Sequence, residues 1–172
     1  NATRTTIAPT GTISVIGSAS SGIEPLFAIS YVRKTPQFEL LEVNPVFEEV
    51  AREEGFYSEE LMKRIAKKGS IQNVEEIPEH IRKIFVTAMD LSPEDHVRMQ
   101  GVFQKHVDNA VSKTVNFPFT ATVEEIAKVY KMAYEVGCKG ITIYRDGSRD
   151  IQVLNVTREE KPKQPLPRHA TI

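Results

Sequence analysis

A single cysteine, Cys138, stands among the 172 residues, so no disulfide can close within the chain, and this usage fits a reducing compartment. No apolar stretch reaches the ~18–20 residues that cross a membrane, and no signal-peptide pattern opens the sequence. The formal net charge is −1, which gives no general attraction to nucleic acid or to an anionic membrane surface. The cytoplasm is therefore the expected location, with neither nucleic acid nor membrane as a partner. The four histidines, His80, His96, His106 and His169, lack ligand spacing such as H-x-x-x-H, and Cys138 has no second cysteine, so no metal site is expected. A nucleophile elbow is missing as well, and with it the signal for a Ser/His/Asp hydrolase.

What is present is an ordinary soluble composition, 40% hydrophobic and 26% charged, in a chain long enough for one domain with its own core. The composition shifts near the end. Residues 158–168 hold Glu159, Glu160, Lys161, Lys163 and three prolines, with Leu166 as their one large apolar residue. Such a stretch buries too little to fold alone. Residues 1–156 are expected to fold and residues 157–172 to form a flexible, proline- and charge-rich tail. The first residue is Asn1, which is expected of a piece of a longer polypeptide.

The stretch that organises the rest lies near the start. Residues 3–8 are short and rich in β-branched side chains, which predicts a buried strand. Pro9 ends it, and Pro9-Thr10-Gly11-Thr12-Ile13-Ser14 leads into a short helix over about 12–17. A turn of this kind points backbone N–H groups and hydroxyls at one spot, and the helix N-terminus adds partial positive charge there. An anion such as phosphate fits that description, although turns rich in Ser, Thr and Gly also serve simply to cap helices or reverse the chain. A second turn follows at Gly22-Ile23-Glu24-Pro25, then an extended segment over 27–34.

The middle of the chain reads as helical. Asn44-Pro45 starts a helix with Val46, Phe47, Val50 and Ala51 inward and Gly55 as its stop. Ser58 starts another, facing the core with Leu61, Met62, Ile65 and Ala66 and stopped by Gly69. A third runs over 77–86 with Ile81, Ile84 and Phe85 inward. The pairs Glu53-Glu54, Lys67-Lys68 and Glu75-Glu76 are solvated faces. Ser92-Pro93-Glu94-Asp95 opens a helix expected to reach about Val107, and a strand is expected over 110–117. Thr122-Val123-Glu124-Glu125 is a capping box, followed by Ile126, Val129, Tyr130 and Ala133 on one helical face. The last strand is Ile141-Thr142-Ile143-Tyr144, and strand–helix–strand in this order predicts a parallel pair.

Three stretches, in order, carry a resemblance. They are Pro9-Thr10-Gly11-Thr12-Ile13-Ser14 with Gly22-Ile23-Glu24-Pro25; His96-Val97-Arg98-Met99-Gln100 through Asp108-Asn109-Ala110-Val111-Ser112-Lys113-Thr114-Val115-Asn116; and Gly137-Cys138-Lys139-Gly140-Ile141-Thr142-Ile143-Tyr144-Arg145-Asp146-Gly147-Ser148-Arg149. Together they resemble the C-terminal part of the catalytic barrel of ribonucleotide reductases, most closely the adenosylcobalamin-dependent, class II enzymes. The resemblance implies an α/β fold, the C-terminal portion of a ten-stranded α/β barrel with a helical insertion. It implies reduction of a ribonucleoside diphosphate, with adenosylcobalamin generating a cysteine thiyl radical and a thioredoxin-like partner restoring the reducing dithiol. Pro9, Thr10, Gly11, Thr12, Ile13 and Ser14 would hold the substrate's phosphates.

In the family the chemistry takes three thiols, and Cys138 matches none of their positions. No catalytic residue is therefore expected in this chain, which should be inactive without the remainder of the reductase, and Cys138 reads as structural. Where the radical comes from a second, metal-containing subunit, two adjacent tyrosines relay it; here Ile143-Tyr144 offers one. That difference favours the cobalamin class. Arg145 and Arg149 form a basic turn able to meet phosphate or corrin side chains, or equally to pair with Asp146 or Asp150. The alternatives are the large subunit of a metal-radical, class I reductase and a non-catalytic binding or assembly module.

Overall fold

The computed structural model describes residues 1–17, 19–34 and 39–148. The expected tail and Arg149 lie outside the described residues. In chain order the elements are α1 (Gly11–Ile16), β1 (Ser30–Lys34), β2 (Glu39–Val43), α2 (Pro45–Glu53), α3 (Glu59–Lys68), α4 (Glu79–Ile84), α5 (Pro93–Gln104), β3 (Thr114–Phe117), α6 (Val123–Glu135) and β4 (Thr142–Arg145).

Local capping sets most helix boundaries. The side chains of Asn44, Ser58, Ser92 and Thr122 accept from the backbone N–H three residues on, satisfying donors that have no acceptor inside the helix. At α6 the capping box is complete, with Glu125 reaching back to the Thr122 amide. Gly69 closes α3 in the left-handed region at φ 76, where a Cβ would be strained.

Two cores result. The first joins α2, α3 and α4 to an antiparallel hairpin of β1 and β2, with Ser30 opposite Val43 and Val32 opposite Leu41. Its centre is Ile29, Phe47, Met62, Ile65, Ile71 and Ile77, all fully buried. The second core packs α5 and α6 on β3 and β4 through Val97, Val115, Phe117, Val129 and Ala133. Here β3 and β4 are parallel, with Val115 opposite Ile143, and α6 makes the crossover. Gly101 lets α6 approach α5 closely: a Cβ there would lie 2.8 Å from Val136 Cγ2.

Several expectations need correction. Residues 3–8 are exposed apart from half-buried Ile7, and their ladder is one parallel bridge, Ile7 to Val111. Asn109 N–H donates to Thr5 O at 3.1 Å and Ser112 N–H to Ile7 O at 2.9 Å. The strand expected over 110–117 is regular only at Thr114–Phe117, and α5 ends at Gln104, where Gln104 itself binds the Val107 and Asn109 carbonyls. Strand β2 was not foreseen; Glu and Leu are poor strand formers, and pairing with β1 overrides that preference. Val46, Ile84 and Tyr130 were placed inward but are 57%, 72% and 52% exposed. α4 is only six residues long, and Phe85 just beyond it takes the inner place, edge-on to Phe47 with ring centres 5.0 Å apart.

Candidate functional site

The 9–14 turn lies on the surface, with Gly11 the first residue of α1. Thr10 has φ 51, a left-handed conformation that a β-branched residue adopts only when its surroundings hold it there. Ser14 N–H donates to Thr10 O at 2.9 Å, so Thr10 caps the helix with its carbonyl. Its hydroxyl lies 3.3 Å from Ser21 Oγ, and Ser21 Oγ in turn donates to Pro9 O. Gly22, at φ 53, carries the returning chain past Ala8; a Cβ there would lie 3.2 Å from Ala8 O. Gly11 opens onto space, since a Cβ would meet no described atom within 4 Å. The Ser14 hydroxyl donates to Gly11 O at 2.8 Å, so its hydrogen braces the turn from within.

Near the turn is an ionic cluster in which Lys113 and His96 are buried and Glu24 is half-buried. Glu24 Oε1 accepts from Thr114 N–H at 2.6 Å, and Glu24 Oε2 from Lys113 Nζ at 2.8 Å. The Lys113 side chain is 1% exposed. Its ammonium also meets His96 Nδ1 at 2.7 Å and Thr114 O. Since His96 Nε2 lies 2.9 Å from Ala88 O, which can only accept, Nε2 carries the proton and Nδ1 is the acceptor. Three acceptors around Nζ take three N–H bonds, so the lysine is charged and the imidazole neutral. Burial pulls Lys113 below the usual lysine value, against the pull of Glu24. Burial likewise pulls His96 below the usual imidazole value, and the neighbouring ammonium adds to it.

α5 continues the polar seam at i, i+4 spacing. After His96, Gln100 donates to Val111 O at 3.2 Å and Gly140 O at 2.7 Å. Gln104 donates to Asn109 O at 2.8 Å and accepts from Lys139 N–H at 3.1 Å. The buried face of this helix therefore binds backbone carbonyls at each turn. Gln100 Oε1 is buried without a hydrogen-bond partner among the described residues.

The structure thus joins the three sequence stretches. Glu24 comes from the first, His96 and Lys113 from the second, and Gln100 and Gln104 reach the third at Gly140 and Lys139. None of these five was singled out for a role from the sequence. Glu24 and Lys113 stand 89 residues apart, and no local pattern announces their pairing. Cys138 is half-buried against the second core, and burial pushes its thiol up. Tyr144 is half-buried on β4 opposite Asn116. Arg145 donates to Phe119 O at 3.2 Å and lies over the Phe119 ring. Among the described residues no three His, Cys, Asp or Glu side chains stand together as a metal site, and no helix is long and apolar enough to cross a membrane.

Comparison with known proteins extends this picture. Residues 1–144 match the family model described as ribonucleotide reductase, barrel domain. A protein of Thermoplasma acidophilum, described as a vitamin B12-dependent ribonucleoside-diphosphate reductase, is 54% identical over 164 residues, 95% of this chain and 21% of that protein. One of the same description from Mycobacterium tuberculosis is 48% identical over 155 residues, 90% of this chain and 22% of that protein. The chain spans about a fifth of the length of these relatives. Among solved structures, the Actinobacillus ureae class Id ribonucleotide reductase alpha subunit shares the fold at a TM-score of 0.68 and 24% identity, over 81% of this chain and 26% of that one.

Proposed function

The chain belongs to the ribonucleotide reductase barrel-domain family, and from that premise we propose that it is the segment of an adenosylcobalamin-dependent ribonucleoside-diphosphate reductase that holds the substrate's phosphates. The observation that carries this reading is the 9–14 turn: a Thr held at φ 51, followed by a short helix whose first amides have no acceptor within it. Gly11, Thr12 and Ile13 offer their backbone N–H groups, Thr12 adds a hydroxyl, and Gly11 leaves room for an anion to approach. Pro9, Thr10 and Ser14 set the shape of the turn. The names of the relatives support the cobalamin class and the diphosphate substrate.

In the whole enzyme the 2′-hydroxyl leaves as water and a dithiol becomes a disulfide, which a thioredoxin-like reductant restores. Adenosylcobalamin, when bound, supplies the radical. His96 and Lys113 are bonded to each other, and Cys138 is packed on the second core, where burial pushes its thiol up. The catalytic thiols and most of the cofactor contacts are assigned to the remainder of the reductase chain. What this segment contributes is orientation, fixing the phosphate end so that the ribose meets the reacting groups.

The test uses the reductase polypeptide that contains this segment. Gly11→Val places a branched side chain where the anion would approach, and it should abolish measurable nucleotide binding. A Cβ at position 11 would meet no described atom within 4 Å. Thr12→Ala removes one hydroxyl donor to a charged acceptor and should weaken nucleotide binding about tenfold. Cobalamin affinity, measured separately by calorimetry, should hardly change. Unchanged nucleotide affinity in both variants would reduce the turn to a helix cap.

A further inference from the structure

In the Glu24–Lys113–His96 cluster the lysine and histidine are buried and the glutamate is half-buried, and all three are hydrogen-bonded outside the 9–14 turn itself. A short chain of bonds links the two. Glu24 N–H donates to Ser21 O at 3.0 Å, Ser21 Oγ donates to Pro9 O, and Thr10 Oγ1 lies 3.3 Å from Ser21 Oγ. Thr10 is thus in contact with Ser21, and the 21–24 segment is tied to the rest of the fold through the carboxylate of Glu24. That carboxylate has two partners, the β3 amide of Thr114 and the ammonium of Lys113. The ammonium is fixed in its turn by His96 of α5, which is itself fixed on Ala88 O.

We propose that Lys113, with Glu24 and His96, is a positioning device that holds the 9–14 turn in its phosphate-receiving shape and so sets the enzyme's affinity for its nucleotide. The proposal rests on the reading of that turn given above. Lys113 does not touch the substrate; it acts through Glu24 and Ser21. Its ammonium is suited to the task because three acceptors converge on one nitrogen from three parts of the chain: the 22–25 turn, α5 and the start of β3. Loss of any one leaves the others without a fixed origin. Residues 21–24 can then relax, Thr10 can return to the negative φ that its side chain favours, and the amides of residues 11–13 rotate away from a common focus. Neighbouring β3 and α6 need not move, because their packing rests on Val115, Phe117 and Val129.

The experiment compares Lys113→Met, Glu24→Gln and Thr12→Ala in the reductase polypeptide containing this segment, with calorimetric nucleotide affinity, KM and kcat, and thermal midpoint read on each. Lys113→Met keeps most of the side-chain length and removes every N–H. It should weaken nucleotide binding about tenfold, with KM rising in step and kcat changing far less, as for loss of uniform binding. Glu24→Gln keeps the shape and should shift affinity in the same direction by a smaller factor; where Lys113→Met does not fold, it decides alone. Nucleotide affinity within about twofold of wild type, beside a lowered thermal midpoint, would make the cluster a purely structural core and overturn the proposal. Thr12→Ala separates the two readings. If it weakens binding while the cluster variants do not, the turn reading stands and the positioning role falls. If the cluster variants weaken binding while neither Thr12→Ala nor the Gly11→Val variant described above does, the cluster does not act through this turn, and the positioning role falls with the turn reading.

Discussion

The two cores of this chain are built from opposite materials. Around α3 the buried side chains are Ile29, Phe47, Leu61, Met62, Ile65, Ile71 and Ile77, and the contacts are dispersion and shape. Around α5 the apolar residues Val97, Val115 and Phe117 share the interior with His96, Gln100, Gln104, Lys113 and Asn116. Apolar packing is non-directional: it stabilises a helical layer without fixing any one loop to within an ångström. Hydrogen bonds and ion pairs in a low dielectric are directional, and costly if left unmade. The second core therefore gives up some stability for placement, and it does so where the three family stretches meet. The first core carries no candidate chemistry.

Removing a centrepiece from each core sharpens the contrast. The largest effect on stability is expected from Phe47→Ala, which empties the meeting point of Phe56 and Phe85 and should cost about 3–5 kcal/mol. Nucleotide affinity of the protein that remains folded should be unchanged. Denaturant unfolding with calorimetry on the same samples checks both halves, and an affinity loss matching the stability loss would mean that the two cores are not separable.

A smaller effect is expected from acid, and it should appear in the second core alone. The folded state holds His96 below the ordinary imidazole value, first through burial and then through the Lys113 ammonium, with Ala88 O, Glu24 and Asp95 pulling the other way. Between the folded and the ordinary values the unfolded chain binds more protons. Stability is therefore fully present above the ordinary value of ~6.5 and is lost as pH falls from there through the folded value. The slope can reach at most about 1.4 kcal/mol per pH unit for one group. Protonation also turns Nδ1 into a donor facing an ammonium, so nucleotide binding should weaken over the same range. His96→Gln should remove this slope; its persistence would assign the acid sensitivity elsewhere.

How much of this could be read beforehand follows the range of the forces. Asn44, Ser58, Ser92 and Thr122 were legible as caps because donor and acceptor lie three residues apart in the sequence. The β3–α6–β4 unit was legible because its periodicities change at Pro118 and Gly137. Val46 and Ile84 misled because helical periodicity marks an apolar side without marking how wide an arc the core covers. α2 buries Phe47 and Ala51 and leaves Val46 at the rim. The turn at 9–14 was visible as a turn, yet the left-handed Thr10 was not, since nothing in Pro-Thr-Gly announces a β-branched residue at positive φ. The buried polar seam was the least legible part. His96, Gln100 and Gln104 are polar, so apolar periodicity does not mark them as buried, and their acceptors are carbonyls, which carry no sequence signature. Lys113 was likewise one charge among many until Glu24 was placed against it.

The smallest expected effect tests whether charge as such matters between α5 and α6, or only charge that is buried. Lys128 Nζ lies 2.6 Å from Glu94 Oε1, joining the two helices at the surface, with the lysine side chain 68% exposed. That bond is the first cause holding the Glu94 carboxyl below its usual value. Its contribution is therefore present above the ordinary glutamate value and is lost as pH falls through the folded one. Water screens it, and ordering two flexible side chains opposes it, so Lys128→Met should cost about 0–1 kcal/mol. The effect should shrink further in molar salt, where the screening length falls to about 3 Å. Nucleotide affinity should not respond, because Lys128 and Glu94 bond to each other and to no part of the 9–25 segment. A fall in affinity with Lys128→Met as large as that with Lys113→Met would show that the α5–α6 packing as a whole, and not the buried cluster, sets the turn. With affinity constant, the same interaction type has different consequences at two depths: an exposed pair decorates the helices, whereas the buried pair fixes where a loop can lie.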